Sequence, residues 1–194
     1  RRPPRSTLFP YTTLFRSEAT LTANLREAGA IILAKTVMTE LANFMGSGMP
    51  GIYSAVGGFG MNPYDPRPDP REGRNDGRPV MGTGGSSSGI GTAMSFWAAN
   101  VGTETSGSIL SPSNSNMLAA IKPTVGRVSR YGVIPITADQ DIAGPMARTV
   151  TDAAIMLGAL EGAEPDPNDV ATLRCEPPPN GDYTALLRAD GLQG

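Results

Sequence analysis

The sequence predicts an α/β fold, and three observations carry that expectation. A helix, a short apolar run and a second helix follow one another over residues 18–44, the order of an α/β layer. A clear amphipathic helix lies over Thr149–Leu160, with Ala153, Met156, Leu157 and Leu160 along one face. The composition, 39% hydrophobic and 18% charged, is that of a globular chain. Its 194 residues suit one domain or part of a larger one.

The first stretch is set aside from the fold. Thr7–Ser17, TLFPYTTLFRS, reads as the in-frame translation of a common sequencing adapter, and Arg1–Ser17 shows no helical or strand periodicity. Residues 1–17 are therefore expected to be a non-native leader, and 18–194 the domain proper. The leader takes four arginines and no acid with it. That leaves 12 cationic and 18 anionic side chains, a net −6 instead of the −2 of the whole chain. With no initial Met and no terminal cap at Leu192–Gly194, the sequence is expected to be cut at both ends.

The elements follow in order. Glu18–Ala28 is a helix with Leu21 and Leu25 four apart, and Gly29 stands where a helix C′ residue belongs. Ala30–Ala34, AIILA, is fully apolar and reads as a buried strand closed by Lys35. Thr36–Phe44 reads as a second helix with Leu41 and Phe44 on one side. Met45–Thr83 is dense in Gly, Pro, Asp and Arg and holds neither a helix nor a central strand. A loop that long is either functional or a surface meander. Gly84–Gly89, GGSSSG, precedes a buried helix over Ile90–Asn100 that carries Trp97. After the turn GTETSGS, Ser111 and Pro112 form an N-cap and N1 pair for a helix reaching about Ile121. Val128, Tyr131, Val133 and Ile134 make Arg127–Pro135 strand-like, Glu164–Pro179 is a Pro/Asp linker, and Tyr183–Arg188 begins a last short helix.

Composition excludes whole classes of chemistry. Histidine is absent and Cys175 is the single cysteine. Ser-His-Asp and Cys-His catalysis, a disulfide framework, a four-cysteine zinc site and most transition-metal sites are therefore not available. Acid–base work must fall to Lys, Asp, Glu, Tyr or Cys. No apolar run reaches the ~18 residues of a membrane span. The lack of a basic excess argues against nucleic acid as a main partner.

Three motif readings meet at the Ser/Gly turns. Gly85–Gly89 fits G-x-S-x-G, centred on Ser87, but a nucleophile elbow needs a histidine. A phosphate cradle would need Gly-Lys-Ser/Thr, and no lysine follows. A plain flexible loop is the bland alternative. The combination is more informative. Lys35, one of two lysines, closes an apolar run, and two Ser/Gly turns flank one helix. Ser108 ends the second turn just ahead of a helix, where unpaired backbone N–H groups can form an oxyanion hole.

Four blocks in order carry a resemblance: AIILAKTVMTELANF, GGSSSG, GTETSGSILSP and IKPTVGRVSRYGVIPITADQDIAGPMARTVTDAA. They resemble the amidase signature family over nearly all of residues 18–160. The resemblance implies a mixed β-sheet core flanked by helices, here incomplete on its C-terminal side. It implies a histidine-free Ser–cis-Ser–Lys triad that hydrolyses carboxamides through an acyl-enzyme. Carried over by motif, Ser108 is the nucleophile and Lys35 the base. Ser86 is the bridging serine, with Ser87 the alternative because the intervening stretch is two residues short of the family spacing. The backbone N–H groups of Thr105, Ser106, Gly107 and Ser108 would be the oxyanion hole. Lysine must be neutral to accept a proton, and burial against AIILA would favour that form. The implied protein is a cytoplasmic enzyme with a small-molecule amide substrate, no cofactor, no metal and no membrane contact. The A-type subunit of a glutamyl-tRNA(Gln) amidotransferase, with tRNA and partner subunits, is the alternative within the family. A catalytically inactive piece is the alternative outside it.

Overall fold

A computed structural model describes residues 18–44, 52–73, 77–82, 85–86, 88–191 and 193. Residues 1–17, expected to be a leader, lie outside the described residues, as does Ser87.

The first helix, α1 (Thr20–Glu27), buries Leu21 and Leu25. It ends as its sequence predicts. Gly29 takes a left-handed φ of 87°, its N–H donates to the Arg26 carbonyl, and the Ala30 N–H reaches back to the Leu25 carbonyl at 2.9 Å. The partner of α1 is α4 (Val150–Glu161). There the Thr149 hydroxyl accepts from the Asp152 N–H and donates to the Asp152 carboxylate. Leu21, Leu25, Val128, Ala143, Leu157 and Leu160 form one core cluster between these helices and the sheet, with Met156 packed on it. Asn24 closes the pair by donating its amide to the Leu160 and Glu161 carbonyls at the end of α4.

Among the described residues the principal sheet has three strands. β5 (Ile142–Ala147) is central and entirely buried, flanked by β3 (Ala99–Glu104) and the two-residue β4 (Ala119–Ala120), both antiparallel to it. A small hairpin, β1 (Tyr53–Ser54) and β2 (Gly58–Phe59), stands in the long loop. A sheet flanked by helices agrees with the expected α/β class. The central strand itself escaped the sequence reading because Gly144 and Pro145 argue against one. Pro145 is tolerated because β4 stops opposite Met146, one residue short of it.

Several expected elements are corrected. Residues 30–34 form no strand and are exposed, Ile31 to 84% and Leu33 to 65%, because no described strand pairs with them. The helix expected over Thr36–Phe44 shrinks to a 3-10 turn at Glu40–Asn43 with left-handed Leu41, Ala42 and Asn43, and Leu41 and Phe44 face solvent. The helix expected over Ile90–Asn100 is only α2 (Gly89–Ala93). It stops because Ser95 turns left-handed and Trp97 folds back onto Gly91, where a Cβ would lie 2.1 Å from the indole ring. The helix after Ser108, α3 (Leu110–Ser115), starts before Pro112 and ends where Met117 turns left-handed, well short of Ile121. Residues 127–135 contain no strand. The supposed linker packs instead: it carries a 3-10 turn at Val170–Arg174, and its buried Asp166 and Asp169 hold Ser129 and Arg130. Tyr183–Leu186 is a 3-10 turn, not an α-helix.

Candidate active site

The two Ser/Gly turns meet at the end of β3. Antiparallel pairing sets Glu104 opposite Ile142, so the chain leaves the sheet at Thr105 and must turn before α3. Gly107 makes that turn with a φ of 84°. The first turn lies against it. The Ser86 N–H donates to the Ser108 carbonyl at 3.1 Å, and a Cβ on Gly85 would sit 2.6 Å from the Ser108 hydroxyl oxygen. Only glycine at 85 lets the two turns approach this closely.

Glu104, which the sequence reading passed over, organises the second turn. Its carboxylate is buried and accepts the Ile109 and Leu110 N–H groups at 2.7 and 2.9 Å. It caps α3 in place of the expected Ser111. The available signal was an acid within the GTETSGS block just ahead of a helix start, where negative charge is favoured. With those two donors occupied, the N–H groups of Thr105, Ser106, Gly107 and Ser108 donate to no described residue. Four consecutive N–H donors without a described partner thus lie beside the half-buried Ser108.

Ser86 is fully buried, and its hydroxyl is engaged with β3: it donates to the Thr103 carbonyl and accepts the Thr103 N–H, both at 3.2 Å. No cis peptide bond occurs among the described residues, so the link before Ser86 is trans, contrary to the geometry the resemblance implies. Lys35 is exposed, so the apolar enclosure expected of it is absent. The chain just after Lys35 does reach the site, for the Thr39 N–H donates to the Gly85 carbonyl at 3.1 Å. The structure thus joins Ser86 and Ser108 through their backbones and leaves Lys35 outside that contact.

Behind the turns, α2 and β3 are locked by a buried polar network. Thr92 donates to Asn100, Asn100 donates to Ser88, and the Trp97 indole donates to Thr92 at 2.8 Å. A recess of about 210 Å³, walled in part by Tyr131, Val133, Pro135 and Ala138, has Asp141 on its border. Among the described residues no helix is long and apolar enough to cross a membrane.

The model of the Amidase family matches residues 11–189. The chain belongs to the amidase family. It is 42% identical over 180 residues to a probable amidase of Arabidopsis thaliana, an alignment covering 91% of this chain and 32% of the relative. It is 39% identical to the A-type subunit of the glutamyl-tRNA(Gln) amidotransferase of Thermosynechococcus vestitus, over 89% of this chain and 32% of that one. The crystal structure of native peptide amidase from Stenotrophomonas maltophilia superposes with a TM-score of 0.77 at 41% identity, over 91% of this chain and 34% of its own. This amidase-family chain therefore spans about a third of the length of the relatives it matches.

Proposed function

We propose that the polypeptide bearing this chain hydrolyses a carboxamide through Ser108. The Ser108 oxygen attacks the carbonyl carbon, the C–N bond breaks, and ammonia or an amine leaves with a proton. Water then releases the acid from the acyl-enzyme. The observation that carries this reading is the row of unpaired N–H groups at 105–108 beside Ser108, since such donors act where negative charge develops. Ser86 relays the proton to Lys35. For that step the Ser86 hydroxyl must leave its two bonds to Thr103. Lys35 serves as base only where the apolar run 30–34 is covered, so the activity belongs to a polypeptide of the relatives' length. Such an enzyme acts on a small amide, needs no cofactor, and works in the cytoplasm. Ser87 stays the alternative relay.

The 39% identity to the amidotransferase relative favours one second reading, delivery of ammonia to a tRNA-bound substrate. Ammonia release from a peptide amide and from glutamine by the complete enzyme tests both. Release from the simple amide, abolished by Ser108→Ala, is the expected result. Release from glutamine only with tRNA and partner subunits present would select the second reading. Full activity in Ser108→Ala would overturn both.

A further inference from the structure

We propose that Asp141 is a positioning residue that fixes the nucleophile turn through the Thr105 hydroxyl. This rests on the reading of Ser108 and its neighbouring N–H groups given above. The register that pairs Glu104 with Ile142 brings the next residue on each strand, Thr105 and Asp141, face to face as the two strands part. The Thr105 hydroxyl donates to one Asp141 carboxylate oxygen at 2.5 Å. The other oxygen accepts the Ile136 and Thr137 N–H groups at 2.6 and 2.9 Å. The Asp141 N–H returns to the Thr137 carbonyl at 3.0 Å. Asp141 is buried at the border of the recess, and each of these bonds is part-buried.

The turn 105–108 is thus held at both ends by carboxylates with different tasks. Glu104 grips the helix side through Ile109 and Leu110. Asp141 grips the strand side, and it is itself anchored in the 136–141 loop and at the head of the central strand. Neither carboxylate takes an N–H from 105–108, so the clamp orients those donors without consuming them. Thr105 is the one residue of the four that is tied by its side chain to another element. Its hydroxyl is therefore the handle by which the loop sets the aim of the oxyanion donors.

The test uses the complete polypeptide that bears this chain, the form for which the activity is proposed, and phenylmethanesulfonyl fluoride. The Ser108 oxygen bonds to sulfur, fluoride leaves, and the hydroxyl proton passes to the base; mass spectrometry locates the adduct. Thr105→Val and Asp141→Asn each lower the saturating labelling rate about tenfold, with the half-saturating concentration within about twofold, because misaimed donors act on the transition state and not on reagent binding. Thr105→Ser, which keeps the hydroxyl, recovers most of the rate. The double variant Thr105→Val/Asp141→Asn is no slower than the slower single one, since the two groups form one contact. Unchanged labelling in Thr105→Val, a Thr105→Ser as slow as Thr105→Val, or multiplied losses in the double variant overturns the proposal. Absence of any Ser108 adduct in the unsubstituted complete polypeptide overturns the nucleophile reading alone, and amide exchange then decides the clamp. Faster exchange at Ile109 and Leu110 in Thr105→Val and Asp141→Asn, but not in Thr105→Ser, upholds it. Unchanged exchange there overturns it.

Discussion

Two single residues decide the shape of the site. Gly85 leaves room for Ser108, and a methyl group there would meet the Ser108 Oγ and Cβ at 2.6 and 2.7 Å. Gly85→Ala is expected to push the turns apart and cut Ser108 sulfonylation by more than about tenfold, a loss read directly from the labelling rate. Glu104 carries the opposite kind of burden. Truncation to Ala leaves the Ile109 and Leu110 donors without their acceptor and costs about 1–3 kcal/mol in urea unfolding. Glu104→Gln retains a carbonyl acceptor and should cost clearly less. Equal losses in the two variants would mean that packing, not the capping bonds, accounts for the effect.

At the scale of elements, the segment after α4 is held by ionic hydrogen bonds in place of an apolar face. Hydrogen bonds from the Arg130 guanidinium hold the Asp169 carboxyl down to about 2, against an ordinary value of 3.8. A folded value below the unfolded one stabilises the protein above about pH 4, and that contribution fades as pH falls toward 2. Its full size is about 2 kcal/mol. Asp169→Asn should lower the urea midpoint at pH 6 and bring it near the parent's at pH 2. An unchanged midpoint at pH 6 would show that the ion pair contributes nothing. The short α2 offers a second check. The chain has one tryptophan, and its ring lies against Gly91. Gly91→Ala must expel Trp97, so its fluorescence should shift to the red and weaken. These two elements also show what sequence patterns miss. The Pro/Asp run 164–179 lacks periodicity because carboxylates, not an apolar stripe, anchor it. Residues 90–100 have a helical composition, but Trp97 gains more by folding back onto Gly91 than by prolonging the helix.

Across the whole molecule, apolar surface is left uncovered. Ile31, Leu33, Phe44, Phe96 and Ile134 are each more than 60% exposed. The chain should therefore self-associate and bind hydrophobic dyes. Ile31→Glu with Leu33→Lys should reduce association in sedimentation while changing stability by no more than about 0.5 kcal/mol each, because exposed side chains lose little on replacement. A monomeric parent with no dye binding would contradict that expectation.

The sequence by itself determined the local events. It set α1 and its Gly29 stop, the helix α4, the histidine-free composition and the four blocks that mark the family. Each of these depends on neighbours a few residues apart or on residue identity alone. Tertiary structure alone decided the rest. Whether AIILA is a strand depends on a pairing partner, and a run of apolar residues does not state whether one is present. Pro145 becomes tolerable in a central strand only because β4 ends where it does. The roles of Glu104 and Asp141 arise from a strand register that brings residues 104 and 142 opposite each other. A contact across that distance in sequence leaves no periodic trace, because its energy depends on geometry that only the folded sheet supplies.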